Sequence, residues 1–315
     1  QGKIYFNDRG RIRTVDDDGK VVTIFGQDYS YGDGVNATNS RFAEISRVTR
    51  LNNGNIVVND TRGRYIKEFV PDGNITLIAG NGVIANQDTT TQANVQAVRN
   101  PYWMAVDRVT GNIYSDRHTH YGRMAMLNRT TGLWEDILYN TSGTAYYDPT
   151  SDGMAGLLID TDGSQNRLLP LGFANGLLFA SRMRYNSTNK RYEDYMLKTY
   201  DSNNNYTQAH ILGKVGFETA NESCSELRTT PVSGSTCFFE HWDNYRAIFH
   251  DTNANRYIIA KMYRGAQRRI LAINSNGTIE QIGYTSRNID DGFTYARRAG
   301  TDYLYYCHNK RLYGH

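Results

Sequence analysis

The sequence predicts an all-β fold, a β-propeller of four-stranded antiparallel blades. Three observations predict it: a composition suited to strands and tight turns, a strand–turn pattern that repeats along the chain, and no helical periodicity between the repeats. The 315 residues include 24 Tyr, 29 Gly and 30 Asn but only 5 Pro, and 27 Arg against 8 Lys. Aromatic residues suit pleated surfaces and Gly and Asn suit turns, which disfavours a mainly helical protein. Apolar residues make up 39% of the chain, enough for a sizeable core. They are dispersed (mean hydropathy −0.62), and no run approaches the length of a membrane-spanning helix.

The repeat is plainest at the start. The first unit reads GKIYFND (Gly2–Asp8), then Arg11–Gly26; the second GNIVVND (Gly54–Asp60), then Arg64–Gly80; the third GNIYSD (Gly111–Asp116), then Arg123–Leu138. The pattern weakens but continues through Asn175–Arg182 with Tyr195–Gly213, Asn255–Met262 with Arg268–Gly283, and Thr301–Cys307 with Lys310–His315. Within each unit a β-rich run is followed by a hairpin turned at DDG, PDG, RTTG, SNNN or NSNG, where Gly and Asn accept the positive φ of tight turns. One further apolar stretch precedes each later unit: Ile45–Asn52, Tyr102–Arg108, Leu168–Ala174, Tyr245–Asp251 and Phe293–Ala299. That gives four strands per unit, which a sandwich does not explain and which is too long for a solenoid repeat. Six blades are expected, with five as the alternative, because the first unit lacks its innermost strand and the last ends after its third. The whole of residues 1–315 is read as one propeller domain.

The series from Gly54 to Gly80, followed by Asn100, Pro101 and Met104–Asp107 (MAVD), resembles the NHL-repeat family of propellers. The resemblance is clearest over residues 2–116. It implies that Asp8, Asp60 and Asp116, which recur at strand ends, are structural and organise the turn that follows.

In such a fold the connections between successive blades emerge on one face, and here they are long: residues 27–44, 81–100, 140–156, 214–243 and 284–292. They carry Tyr29, Tyr31, Tyr146, Tyr147, Asp148, His241, Trp242, Asp290 and Asp291, an aromatic and acidic set suited to stacking on a sugar ring or to a protein interface. The innermost strands would line a central channel with Arg47, Arg50, Tyr102, Trp103, Arg246, Tyr295 and Arg297, a set suited to an anion. Cys224 and Cys237 are spaced for a loop-closing disulfide. Cys307 is expected in a strand.

Signals for catalysis are sparse. His118 with His120, and His241, His250 and His308, do not form a convincing metal set, and DDDG (Asp16–Gly19) and DTDGS (Asp160–Ser164) read as turns rather than calcium loops. No catalytic residue or metal ligand is assigned, and no cofactor is expected, calcium being the one to consider. Nine N-x-S/T triplets occur, several of them at hairpin turns. Net charge is only +3, a weak case for nucleic acid. The chain begins at Gln1 with no apolar leader, as a mature secreted form or an excised fragment would. The sequence-based expectation is therefore a non-enzymatic extracellular or cell-surface module, such as a bacterial adhesin or fibre tip, that takes a glycan or a partner protein through its long-loop face. The alternatives are a metal-dependent propeller hydrolase or lyase, and an RNA-binding domain.

Overall fold

The structure is a computed structural model. It describes residues 5–8, 11–25, 34, 36–37, 40, 42–71, 73–83, 90–98, 104–116, 124–138, 167–186, 191–203, 206–212, 232–233, 244–251, 254–262, 268–285, 290–298, 301–308 and 311–314. The described strands are all antiparallel and fall into six sheets, one for each repeat unit. The first sheet is β1 (Tyr5–Asp8), β2 (Arg11–Val15) and β3 (Val21–Phe25), and the second is β4 (Ile45–Arg50), β5 (Ile56–Asp60), β6 (Tyr65–Phe69) and β7 (Ile75–Ala79). The third contains β8 (Met104–Val106), β9 (Ile113–Asp116), β10 (Met124–Asn128) and β11 (Leu133–Leu138); the fourth, β12 (Arg167–Ala174), β13 (Leu177–Asn186), β14 (Arg191–Asp201) and β15 (Thr207–Leu212). The fifth holds β16 (Val232–Ser233), β17 (Asn244–Asp251), β18 (Arg256–Met262), β19 (Arg268–Asn274) and β20 (Thr278–Thr285), and the last β21 (Asp290–Arg298), β22 (Thr301–His308) and β23 (Arg311–Gly314). This is the all-β propeller that the sequence predicts. The first and last sheets have three described strands each.

Where the sequence repeat fades, the hydrogen-bond register keeps it. In the second, fourth, fifth and last sheets a bulge interrupts the first strand pair, at Ser46, Leu171, Arg246 and Asp291–Gly292. A second bulge recurs in the pairing of the last two strands of a repeat, after Ile12, Ile66, Leu197 and Ile270. A bulge bends its strand and sharpens the local twist, so bulges at matched places give successive sheets the same curvature. The turns follow the expected chemistry. Gly19, Gly132 and Gly277 lie at φ +78, +71 and +79, and Asn175–Gly176 (φ 52 and 75) makes the two-residue turn between β12 and β13.

Two compact units divide the chain. One comprises residues 1–113, 127–135 and 289–315, the other residues 114–126 and 136–288. In the first, Ile12, Ile24, Phe42, Ile45, Ile56, Val58, Phe69 and Ile75 form a buried apolar cluster between the first two sheets. Lys67 is buried at its margin, with its ammonium over the rings of Tyr65 and Phe42 at 5.0 and 5.7 Å. Arg129 donates to Glu68 at 2.6 Å, and Glu68 also accepts from Asn55, which joins the β10–β11 turn to the second sheet. In the other unit, Tyr114 stacks on Phe173 at 5.2 Å and Phe179 meets Tyr257 at 4.7 Å. Gly172 there lies so close to Ile248 that an added Cβ would sit 3.1 Å from the Ile248 Cβ.

The Asp60 carboxylate is fully buried and accepts three backbone N–H groups, from Ala43, Glu44 and Gly63, each at 2.9 Å. It thus organises the turn that follows, as the resemblance implies, and also fixes the start of β4. Asp60→Ala would leave three part-buried donors without their acceptor, and the expected loss is about 3 kcal/mol or more, read from the urea midpoint of unfolding.

Candidate functional site

The expected loop-face set lies largely outside the described residues: Tyr29, Tyr31, Tyr146, Tyr147, Asp148, His241 and Trp242, with Tyr102, Trp103, Cys224, Cys237, His118 and His120. Asp290 and Asp291 correct the sequence reading. They belong to β21, and β20 runs to Thr285, so both ends of the expected loop over 284–292 are strand. The bulge within β21 is the reason: a strand that absorbs extra residues next to a turn breaks the alternation by which a strand is recognised in sequence.

Described segments of three long connections share a structural task. Gly34 donates to Ile75 and Ala37 to Gly73, with a bridge between Asn36 and Asn74, so the connection ahead of β4 lies along β7 and its turn. Ala93 donates to the Gly132 carbonyl at 2.9 Å and the Gln92 amide to Thr131 at 3.2 Å, which repeats the arrangement at the β10–β11 turn ahead of β8. The connection over 214–243 contains β16, which pairs with β20 through Val232↔Ile279 and Ser233↔Thr278. Each connection is thus pinned to the last hairpin of the blade it leads into, covering an edge that would otherwise offer unpaired backbone groups. Sequence length alone suggested functional loops; the described parts act first as edge covers.

The start of β4 holds a buried polar group of another kind. Asn59 is fully buried, yet neither its Oδ1 nor its Nδ2 has a hydrogen-bond partner, and the Ser46 hydroxyl in the adjacent bulge is equally unpartnered. Asn59 pairs across the strands with Arg47, which is half-buried and engaged in an interaction of its own. The strand register thus sets Ser46 and Arg47 opposite Asn59 and Asp60, with three buried polar atoms of Ser46 and Asn59 left without partners. Neither Ser46 nor Asn59 stood out in the sequence, since neither belongs to a catalytic motif. Of the other residues expected along the channel, Arg246 is the bulge residue of β17, and Arg297 of β21 lies opposite Asp302 of β22 in the strand register. Arg246 thus matches Ser46 in position, not Arg47.

Among the described residues no three His, Cys, Asp or Glu side chains gather as a metal cage. The buried carboxylates are already engaged. Asp107 accepts from Val109 N–H and the Thr110 hydroxyl at 2.9 and 2.6 Å, and Asp251 takes Arg256 at 3.2 Å. Asp16 is a turn residue, accepting from Asp18 and Lys20 N–H, as read for DDDG. His250 stacks near Tyr257 at 4.9 Å. Two N-x-S/T asparagines are turn residues too: Asn128 accepts from Thr130 N–H, and Asn276 from Thr278. Asn59, a third, is buried.

No family model matches the chain, and no curated protein does. Solved propellers do. A gluconolactonase from Xanthomonas campestris aligns over 99% of this chain and 81% of its own at 10% identity, with a TM-score of 0.52. TolB from Acinetobacter baumannii aligns over 98% and 61% at 9% identity (TM-score 0.48), and a streptogramin B lyase over 99% and 89% at 12% identity (TM-score 0.45). At these identities the likeness is one of fold.

Asn59→Leu tests the unpartnered amide. If the site is dry, exchanging it for an apolar side chain of similar volume leaves stability unchanged or raises it; a water or ligand seated there in solution makes the same change destabilising by about 1–3 kcal/mol, read by chemical denaturation.

Proposed function

We propose that the chain is a propeller enzyme of divergent NHL type that hydrolyses or eliminates within a small molecule, an ester or lactone being the favoured substrate. The observation that carries this reading is the extent of the match with the gluconolactonase, which spans 99% of this chain. Fold alone leaves the chemistry open. The side chains at the start of β4 favour the substrate class: hydrolysis of a lactone passes through an oxyanion and yields a carboxylate, and Arg47 beside the unpartnered Ser46 and Asn59 offers cationic and hydrogen-bonding stabilisation for both. Metal chemistry is common among propeller hydrolases, but the described residues do not fit a divalent cation. Their buried carboxylates are engaged with backbone N–H groups, a hydroxyl, an amide, Arg129 and Arg256.

A second reading keeps the long-loop connections as a glycan- or protein-binding face, and one feature favours it. Val83 and Val95 are exposed, and Asn81 holds the two segments together, accepting from Val83 N–H and donating to the Val95 carbonyl, each at 3.1 Å. Paired exposed valines on a pinned loop suit a contact surface.

Proton release from glucono-δ-lactone and a panel of simple lactones and esters decides between them. The enzyme reading expects turnover above the spontaneous rate, with kcat/KM down about tenfold or more in Arg47→Gln while far-UV circular dichroism is unchanged. No acceleration across the panel, together with capture on a glycan array abolished by Trp242→Ala, would instead support the binding module.

A further inference from the structure

Where β4 and β8 end, two arginines meet without an acid to balance them. Arg50 is the last residue of β4, and Arg108 lies in the turn just after β8. Arg108 Nε donates to the Arg50 carbonyl at 2.9 Å, and Asn52 N–H donates to the Arg108 carbonyl at 2.8 Å, so the two turns are tied together. The Arg50 guanidinium lies over the Tyr5 ring, 5.6 Å from its centroid, which steadies its plane, and its Nε is buried with no hydrogen-bond partner. The adjoining Asp107 carboxylate is occupied within its own turn by Val109 N–H and the Thr110 hydroxyl.

Among the described residues neither Arg50 nor Arg108 has a carboxylate partner, although Arg129 in the same unit pairs with Glu68 at 2.6 Å. Desolvation of its packed side, and then the charge of Arg50, hold the Arg108 pKa below its ordinary value. The Arg108 side chain is nonetheless exposed, so the pair is reachable from solvent.

We propose that Arg50 and Arg108 form a binding site for a tetrahedral oxyanion, a phosphate or sulfate group, seated between the two guanidinium groups beside Tyr5. A guanidinium fork engages such oxygens in pairs. A tetrahedral group has enough oxygens to engage both forks, whereas a carboxylate is satisfied by one. The bound anion also removes the repulsion between the two cations, so it gains more there than at an isolated arginine. The site lies about 10 Å along β4 from Arg47 and stands independently of the hydrolase reading.

Isothermal titration and thermal unfolding of the whole chain with inorganic phosphate, at ionic strength held constant with NaCl, test the proposal. Phosphate is expected to bind saturably and to raise Tm, with affinity about tenfold or more weaker in Arg108→Gln. That variant loses the Nε bond to the Arg50 carbonyl together with a like charge, so retention of its fold is read from far-UV circular dichroism in phosphate-free buffer. Arg50→Lys, which keeps the charge and loses the fork, should also weaken phosphate binding. A response no greater than that to NaCl alone, undiminished binding by Arg108→Gln, or acetate binding equal to phosphate would each overturn it.

Discussion

The start of the second blade depends on one buried carboxylate. Asp60 has no contact with solvent and no cation among its hydrogen-bond partners; its charge is met by the N–H groups of Ala43, Glu44 and Gly63. Backbone donors are fixed by the path of the chain, so satisfying this charge dictates where the incoming connection ends and where β4 begins. Thr61 N–H donating to the Glu44 carbonyl at 2.8 Å closes the same junction from the other side. Phe42 and Ile45 flank that junction and are buried in the cluster shared by the first two sheets, so the electrostatic node and the apolar core register one another.

From that junction follows the part played by the long connections. A blade ends in a strand with a free edge, and a propeller with several such edges must cover them or risk pairing with other chains. Here the described connections lie on the last hairpin of the blade they are about to enter, through Ala37 at Gly73, Ala93 at Gly132 and Val232 at Ile279. Each hairpin thereby becomes a docking strip for its own lead-in segment.

Arginine is distributed by role. Arg129 and Arg256 are paired with Glu68, Asp251 and Glu280 and join neighbouring strands or turns. Arg47 and Arg50 sit three residues apart in β4, one beside an unpartnered amide and hydroxyl, the other beside Arg108. A strand that carries two cations and no carboxylate between them is suited to anionic chemistry.

The fold class, the strand order and the structural role of Asp60 were legible in the sequence by itself, because each depends on local signals: alternation within strands, Gly and Asn at hairpin turns, and an Asp recurring at the same place in each repeat. Tertiary structure alone decided the rest. The bulges at Ser46, Arg246 and Asp291–Gly292 move side chains by one or two places along the strand and so change which residues correspond between blades, something that a count along the sequence does not reveal. The burial of Asn59 without a partner, and the meeting of Arg50 with Arg108 across 58 positions of sequence, depend on strands brought together by the register of separate sheets. A hydrogen bond or a repulsion between residues far apart in the chain leaves no mark on the composition around either one, which is why Arg47 and Arg50 stood out in the sequence while Ser46, Asn59 and Arg108 beside them did not.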